Sequence, residues 1–504
     1  MNLSKTKKLK ILFVAAEAAP FIKVGGLGEV TRSLPKAMRE LGHDARLFIP
    51  KYAKIEAEKF PMEPEAGELD IAPNEEDPHR LLVSNVFKHL DKESGITAYF
   101  LENMEYYEKR ANTYNYGDDT VRWVLLSKGA LEFIRRSDWK PDIIIANDWQ
   151  TGFIPNLIET EFKNDPVLSR IATIFLVHNL KFQGMFDPHF VPELEADSGQ
   201  GPIPDFNDPR ILKLNGARRG IIYADIVNTV SPTYAKEILT PEFGEKLEEI
   251  LQEKRDVLYG TLNGMDYDEF DPETDPDIPA HYSRNKPAER YRNKTALQKH
   301  FGLPEDDKVF VMGFVSRLTE QKGVDLLKEV APSIFENLDL QLVIVGTGDT
   351  KYRTDFKELQ EKYPTRVAIH PFFDEKLPKL VFSGADAVLI PSRFEPSGLV
   401  QMEAMRYGAI PIVRKTGGLA DTVTDYYPGA DCGTGFVFEK YDSYAFLIAI
   451  VRAWQAHRSK KEWTGLVKRA MSQDFSWKKS AKDYVELCRL AISKHRGRTS
   501  NEAE

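Results

Sequence analysis

The sequence predicts an α/β protein built from two doubly wound parallel sheets, one in each of two lobes. Short apolar runs alternate with amphipathic segments of helical spacing in the first half of the chain, and the same alternation restarts at residue 309. A chain of 504 residues is also too long for one ordinary core, since domains hold about 150 residues. We assign residues 1–268 to the first lobe and 269–476 to a linker and the second lobe. Residues 477–504 are predicted to form a C-terminal helix and a frayed tail, and one option is that this helix returns to the first lobe.

The composition, with 42% hydrophobic and 29% charged residues, is typical of a globular protein. A net charge of −9 argues against a general nucleic-acid binder. Cys432 and Cys488 are the only cysteines, which excludes a disulfide framework and a cysteine zinc site and fits a reducing cytoplasm. Lysines before an apolar run imitate a secretion signal, but Glu17 interrupts that run, and no apolar run approaches the ~18 residues that span a bilayer. We therefore predict a cytoplasmic protein that binds neither nucleic acid nor membranes.

The first lobe opens with a strand at residues 11–16, a glycine loop at 23–30 (KVGGLGEV) and a helix at 30–41. The glycines let the backbone turn sharply and bring N–H groups close to a ligand, and the helix directs its positive end at that ligand. A phosphate or a sugar would suit this loop, and the alternative is a tight turn without a ligand. The second strand, at 45–50, ends without the carboxylate that holds a dinucleotide ribose, which argues against an NAD-dependent enzyme.

The rest of the first lobe follows the same alternation. Strands at 81–87 and 96–101 flank a turn sequence and predict an inserted antiparallel hairpin. The other expected elements are helices at 119–136, 151–162, 214–223 and 232–239, strands at 142–146, 171–177 and 226–230, and a mobile loop at 188–209. Asp148 and His178 follow two of these strands, and ligands of parallel sheets gather at the carboxyl ends of the strands.

The second lobe begins after a proline-rich linker near residue 271. Asp275 and Asp277 in this linker match a short metal-binding pattern, which we interpret as a chance match. The predicted elements are strands at 309–315, 341–345, 366–370, 387–390 and 410–413, and helices at 400–407, 420–425, 443–456, 461–471 and 477–492.

Three motifs at strand ends of the second lobe carry charge or glycine. Arg317 and Lys322 would clamp a diphosphate if the loop brings them together, and the alternative is a solvated strand end. Glu395 lies in a loop before a helix, where it is either a functional carboxylate or an ordinary first-turn acid. Residues 415–419 (KTGGL) repeat the pattern of residues 23–27 in the other lobe. Two such loops predict a cleft lined from both lobes.

Four motifs in this order resemble those of bacterial and archaeal glycogen or starch synthases, which are family 5 glycosyltransferases of the GT-B type. The motifs are residues 23–27, residues 178–180 with 183–184, residues 317–323, and residues 394–399 with 415–419. They cover essentially the whole chain. The resemblance implies two Rossmann-like lobes that face a central cleft and close around the substrates.

The resemblance also implies residue roles. The catalytic set would be His178, which binds the donor glucose, Arg317 and Lys322, which neutralise the leaving diphosphate, and Glu395, which lies near the transferred glucose. Asp148 would lie toward the acceptor. The remaining substrate-binding residues would be Lys23, Gly25, Gly26, Phe373, Ser397, Gly398, Leu399, Thr416, Gly417 and Gly418. Glu29 and Ser397 stand where many members have Asp and Cys, and Phe373 stands in a tyrosine position and keeps only the stacking face.

The implied reaction is the retaining transfer of glucose from ADP-glucose, or from UDP-glucose, to the non-reducing 4-hydroxyl of an α-1,4-glucan. No residue stands out as a covalent nucleophile, which favours front-face attack, and we expect neither a cofactor nor a metal ion because cations neutralise the diphosphate. The alternatives are a related glucosyltransferase that uses a small acceptor and a catalytically silent glucan-binding protein. The donor base, the acceptor length and the oligomeric state are left open by the sequence.

Overall fold

The computed structural model describes residues 7–69, 71, 84–192, 195–430 and 432–501. The chain divides into two compact units, one formed by Met1–Gly264 together with Trp477–Glu504 and the other by Met265–Ser476. The chain therefore passes between the units at 264/265, where the sequence suggested 268/269, and returns to the first unit with its last helix.

The first unit is built on a nine-stranded sheet with the strand order β3-β4-β5-β2-β1-β6-β7-β8-β9. Its strands are β1 Lys10–Val14, β2 Asp44–Pro50, β3 Glu63–Leu69, β4 Ser84–Leu90, β5 Thr97–Glu102, β6 Ile143–Asn147, β7 Ala172–Val177, β8 Ile226–Thr229 and β9 Leu258–Gly260. All neighbouring pairs from β5 to β9 are parallel. The central strands read as continuous apolar runs because helices cover both faces of a parallel sheet.

The predicted hairpin is present, because β4 pairs with both β3 and β5 in antiparallel orientation. It is less of an insertion than the sequence suggested, since β5 also pairs with β2 in parallel and so continues the main sheet. Residues 81–83 of the predicted strand lie outside the described residues.

The helices of the first unit are α1 Gly26–Glu40, α2 Asp119–Arg136, α3 Phe153–Glu159, α4 Gly216–Tyr223, α5 Pro232–Glu237, α6 Glu248–Glu253 and α15 Trp477–Asn501. The predicted start of α1 at residue 30 was wrong, because the helix already begins inside the glycine loop. The predicted loop at 188–209 contains a short 3-10 turn at Pro188–Phe190, and residues 193 and 194 lie outside the described part of the chain.

The C-terminal helix α15 packs against the first unit through a buried polar cluster. His495 contacts Asp225 at 3.1 Å through Nδ1 and the carbonyl oxygen of Ser169 at 3.0 Å through Nε2. Arg498 contacts Asp225 as well, at 2.9 Å. The helix reaches Asn501, and the remainder of the predicted frayed tail, 502–504, is not among the described residues.

The second unit contains a six-stranded, fully parallel sheet with the order β12-β11-β10-β13-β14-β15. Its strands are β10 Phe310–Val315, β11 Leu340–Val345, β12 Val367–His370, β13 Ala387–Ile390, β14 Ile410–Arg414 and β15 Phe436–Phe438. Its helices are α7 Arg290–His300, α8 Val324–Asn337, α9 Thr350–Lys362, α10 Leu377–Gly384, α11 Val400–Arg406, α12 Gly417–Thr422, α13 Ser443–His457 and α14 Lys460–Met471. The predicted start of α12 at residue 420 was therefore three residues late.

The two linker aspartates have a structural role. Asp275 and Asp277 both contact the Lys379 ammonium, at 3.5 and 3.4 Å, and Asp275 also accepts a hydrogen bond from the Tyr407 hydroxyl. Lys379 and Tyr407 thus bind the carboxylate oxygens that a metal ion would need as ligands. Across the described ranges, no group of three or more His, Cys, Asp or Glu side chains is arranged to hold a metal ion.

None of the helices in the described part of the chain combines the length and the apolar character needed to cross a membrane.

Candidate active site

The first unit brings its predicted polar residues to the carboxyl ends of three neighbouring strands. Strands β1, β6 and β7 lie side by side in the sheet. The glycine loop follows β1, Asp148 follows β6, and His178 follows β7. These are the positions at which parallel sheets bind ligands.

A buried carboxylate, Glu17, organises the glycine loop. Its side chain accepts hydrogen bonds from the backbone N–H groups of Val24 at 2.6 Å, Gly25 at 3.1 Å and Gly28 at 3.1 Å. Burial raises the pKa of Glu17, and the three N–H donors oppose that shift. N–H groups that the sequence analysis assigned to an external anion are thus bound by a carboxylate of the chain itself.

The sharp turn predicted for this loop does not depend on left-handed glycine. Gly25 is extended, with φ −144°, and Gly26 and Gly28 lie in the first turn of α1. A Cβ atom added to Gly26 would meet no atom within 4 Å. Lys23, which is half exposed, donates to Glu29 at 3.0 Å. Glu29 therefore has a defined partner although it departs from the commoner family residue.

Asp148 adopts a strained backbone conformation at the end of β6. Its φ of 56° and ψ of 179° fall in a region that is nearly restricted to glycine, and such strain costs about 1–3 kcal/mol. Its Oδ1 accepts the N–H of His178 at 2.7 Å, and the N–H of Asn179 also donates to the carboxylate. Burial raises the pKa of Asp148 to about 7, the nearby Glu17 adds to that shift, and the N–H donors oppose it. This carboxyl therefore titrates near neutral pH.

His178 is held by Asn147, the last residue of β6, and by Asp148, which follows it. Its N–H donates to Asp148, and its Nε2 lies 3.1 Å from Oδ1 of the buried Asn147. Burial lowers the pKa of His178 to about 3, so the ring is neutral at physiological pH. A neutral imidazole in this position can bind a hydroxyl group but cannot serve as a cation.

The second unit contains an open pocket at the carboxyl ends of β10 and β13, where parallel sheets bind ligands. Its wall includes Lys322 and Glu395, two of the predicted catalytic residues, and Gly398 and Leu399, two of the predicted substrate-binding residues. The other lining residues are Phe314, Val315, Ser316, Leu389, Ile390, Ser392, Val400 and Gln401.

Lys322 and Glu395 form an ion pair in this pocket. Nζ of Lys322 lies 2.5 Å from Oε2 of Glu395, and the hydroxyl of Ser392 donates to the same oxygen at 3.0 Å. Glu395 is only 8% exposed and Ser392 is fully buried. Glu395 is therefore better interpreted as a functional carboxylate than as an ordinary first-turn acid of the helix, because its carboxylate binds the Lys322 ammonium and the Ser392 hydroxyl at the pocket wall.

Arg317 and Phe373 lie at the surface of this unit. The Arg317 side chain is exposed and is not among the residues that line the pocket, so the structure does not bring it together with Lys322 there. Phe373 is 77% exposed and follows β12, and its neighbour Phe372 packs edge-on against His370.

The second glycine pair allows close packing of two loops. Cβ atoms added to Gly417 and Gly418 would lie 2.0 Å from the carbonyl oxygen of Glu395 and 1.8 Å from that of Ser397. The N–H of Gly418 donates to the carbonyl oxygens of Glu395 and Pro396, at 3.1 and 3.2 Å. These glycines, with the buried Thr416 before them, hold the 395–397 loop in place. The two glycine loops thus share a sequence pattern but differ in what their glycines do.

Gln401 fixes the same loop from the other side. Its Nε2 donates to the carbonyl oxygens of Ser397 and Gly398 and to the Thr422 hydroxyl. Its Oε1 and the Ser397 hydroxyl are buried without a hydrogen-bond partner among the described residues. Buried polar atoms without a hydrogen-bond partner are rare in folded proteins. Oε1 of Gln401 and the Ser397 hydroxyl could therefore serve as hydrogen-bond partners for a hydroxyl or amide group of a ligand.

Four residues of the two sites were missed in the sequence, namely Glu17, Asn147, Ser392 and Gln401. Glu17 carried a signal, since an acid at the end of a buried apolar strand must find partners. Asn147 directly precedes Asp148, and Ser392 shares the motif of Glu395, but neither has a pattern that predicts its partner.

Comparison with known proteins gives the family. Residues 10–253 match the model of the starch synthase catalytic domain, and residues 294–463 match that of glycosyl transferases group 1. The chain is 40% identical to a glycogen synthase of Thermotoga petrophila, over 96% of this chain and 99% of that protein. It is also 40% identical to a glycogen synthase of Desulforudis audaxviator, with 97% of both chains covered.

A solved structure agrees with these matches. The catalytic domain of starch synthase IV from Arabidopsis thaliana, bound to ADP and acarbose, superposes with a TM-score of 0.82 at 31% identity, covering 97% of this chain and 100% of that one. The predicted α/β fold of the GT-B type, with two doubly wound lobes, is thereby confirmed, and the two parallel sheets agree with it. The chain belongs to the glycogen and starch synthase family of glycosyltransferases.

Proposed function

We propose that the protein transfers glucose from ADP-glucose, with UDP-glucose as the other candidate donor, to the non-reducing 4-hydroxyl of an α-1,4-glucan, with retention at the anomeric carbon. Two findings on relatives support this proposal. The similar bacterial proteins are named glycogen synthases, and the similar plant domain binds ADP and acarbose. The similarity extends over nearly the whole chain.

The observation that carries the proposal is the ion pair of Lys322 and Glu395 on the wall of an open pocket. In the transfer, the bond from the anomeric carbon to the diphosphate oxygen breaks, and negative charge grows on that oxygen. A cation that is already oriented stabilises such charge without reorganisation. Lys322 meets this requirement because Glu395 and, through it, Ser392 hold its ammonium group in place.

Retention follows from attack on the face that the diphosphate leaves. The acceptor 4-oxygen forms the new bond to the anomeric carbon, and its proton passes to the departing diphosphate oxygen. Arg317, which is exposed and lies five residues before Lys322, and the 416–418 loop would add to the neutralisation of the diphosphate. Phe373 would stack on the base, and Ser397, Gly398 and Leu399 would bind the donor.

In the first unit, Lys23, Gly25 and Gly26 would face the donor diphosphate and glucose. His178 would bind a glucose hydroxyl, and Asp148 would lie toward the acceptor. The neutral state of His178 supports a binding role for its ring, and the strained backbone of Asp148 is typical of functional positions.

We also propose that the reaction needs neither a metal ion nor a cofactor, since Lys322 and Arg317 can balance the diphosphate charge. Purified enzyme should keep its activity in EDTA, and a loss that Mg²⁺ restores would contradict the proposal. A cytoplasmic location is proposed as well, because Cys432 and Cys488 are both free thiols, one exposed and one buried.

A nucleotide-release assay tests the function. Each donor is incubated with and without glycogen, and with a small acceptor such as maltose. Release that requires glycogen, with a product that an α-1,4-specific hydrolase degrades, supports the proposal, and the faster donor identifies the base. Release with maltose alone would indicate a small-acceptor enzyme, and glycogen binding without release would indicate a silent glucan-binding protein.

A further inference from the structure

The amide group of Asn147 can point in only one direction. Its Nδ2 lies 3.0 Å from the carbonyl oxygen of Val14 and 3.1 Å from that of Ile145. Both are pure acceptors, so the group that faces them must be the NH₂ donor. The reversed amide would set its oxygen against two carbonyl oxygens in a buried place. Oδ1 of Asn147 therefore faces His178.

This orientation fixes the tautomer of His178. Nε2 of the ring lies 3.1 Å from Oδ1 of Asn147, which can only accept a hydrogen bond. The ring is neutral, because burial holds its pKa at about 3, and a neutral imidazole carries one proton. That proton is on Nε2. Nδ1 is left with a lone pair, which makes it a hydrogen-bond acceptor.

We propose that Asn147 is a positioning residue for the donor sugar, which holds His178 as the Nε2–H tautomer so that Nδ1 accepts the hydrogen of one glucose hydroxyl. This inference rests on the proposed function, in which His178 binds the donor glucose. It adds the direction of that hydrogen bond and the residue that sets it. The Asp148 contact to the backbone N–H of His178 fixes the position of the same residue, so Asn147 and Asp148 together define both its place and its protonation.

The tautomer can be read directly by NMR. The ¹⁵N shifts of histidine ring nitrogens differ strongly between the protonated and the unprotonated form. In ¹⁵N-histidine-labelled full-length protein, the His178 signals are assigned by their loss in H178Q. We expect a protonated Nε2 and an unprotonated Nδ1 across pH 6–8. A protonated Nδ1, or an imidazolium, would overturn the inference without any measurement on a variant of Asn147.

The role of Asn147 is tested with N147L and a matched control, N228L. Asn228 is also a fully buried asparagine at a strand of the same sheet, in β8, and its Oδ1 accepts from Thr261. In N147L the Nε2 proton loses its acceptor, so both tautomers should be populated and the donor Kd should rise about 3- to 10-fold, as for one lost hydrogen bond. N228L should keep the wild-type tautomer. An unchanged tautomer in folded N147L would refute the role of Asn147.

The direction of the hydrogen bond is tested with nucleotide-glucose analogues in which one hydroxyl is replaced by hydrogen or by fluorine. Fluorine can accept but not donate. At the position that faces His178, both replacements should weaken binding equally, and this loss should vanish in H178A. If the fluorine analogue binds clearly better than the deoxy analogue, His178 donates and the inference fails. Failure of the proposed function is a separate result, since it would be the absence of glucose transfer to glycogen from either donor.

Discussion

Replacing Glu17 by glutamine should loosen the glycine loop of the first unit. The carboxylate accepts three backbone N–H groups, and glutamine offers one oxygen in place of two. In the better orientation that oxygen keeps Gly25 and Gly28, and the NH₂ group faces the N–H of Val24. A buried donor without a partner costs about 1–3 kcal/mol, and the two remaining bonds lose their charge assistance. Relief of the carboxylate burial that raises the pKa of Glu17 offsets part of this loss.

We therefore expect E17Q to lower the free energy of unfolding by about 1–3 kcal/mol, with the change centred on the loop. Urea unfolding measures the total, and hydrogen exchange measures the loop, where the amides of Val24, Gly25 and Gly28 should exchange faster. E29Q is the matched control, because Glu29 contacts Lys23 and Ser33 instead of these amides. Unchanged exchange at the three amides in E17Q, with stability within about 0.5 kcal/mol of wild type, would refute the reasoning.

Four further outcomes are expected. K322A should lower kcat about 100- to 1,000-fold, as for the loss of an oriented charge donor, and an unchanged kcat would contradict the role of Lys322. Asp148 has a pKa of about 7 in the folded chain against 3.8 in the unfolded one, so its contribution to stability is complete below pH 3.8 and is lost as the pH rises through 7. In urea unfolding between pH 4 and 7, D148N should abolish up to ~1.4 kcal/mol per pH unit of that fall, and an identical pH slope in both proteins would contradict it. Burial lowers the pKa of His495, but Asp225 outweighs burial and raises it, so the stabilising charge is present below pH 6.5 and is lost above the raised pKa. H495Q should therefore flatten the dependence of the free energy of unfolding on pH over pH 6–9, and a pH dependence parallel to that of the wild type would show that this charge does not affect stability. F373A should raise the KM for the nucleotide sugar about 5- to 100-fold, as for a lost stacking contact, whereas F373Y should stay near wild type; equal KM values in all three proteins would exclude stacking.

Buried parallel strands were the most predictable part of this fold. Each is flanked by strands on both sides and by helices on both faces, so its sequence is a continuous apolar run that length and bounding turns identify. β3 was not predicted because its residues, Glu63–Leu69, are largely exposed and charged at the edge of the sheet. β9 and β15 have three residues each, which is too short for any period to be visible.

The glycine loops show why a motif does not determine its contacts. Residues 23–27 and 415–419 share the pattern Lys-x-Gly-Gly-Leu, and in both the helix starts among the glycines. In the second loop, backbone from residues 395–397 approaches so closely that a Cβ atom would clash. In the first, Gly26 has open space around its missing side chain. The first loop binds Glu17, which follows the same strand β1, whereas the second loop packs against residues that follow the neighbouring strand β13, and only the folded sheet decides that second partner.

The protonation states of Asp148 and His178 could not be predicted from the sequence, for the same physical reason. The topological rule for parallel sheets was enough to place Asp148 and His178 at neighbouring strand ends. It could not say that Glu17 would come close enough to Asp148 to help raise its pKa, or that the Asn147 amide would be turned by two carbonyl groups. Apart from the carbonyl group of Ile145, which lies two residues before Asn147 in β6, these contacts join β1 to β6 and β6 to β7, at separations of 30 residues or more along the chain. A carboxyl that titrates near 7 and an imidazole that stays neutral therefore follow from strand order. A change at either neighbour, Glu17 or Asn147, is thus expected to alter the site without touching the residues that the family motifs contain.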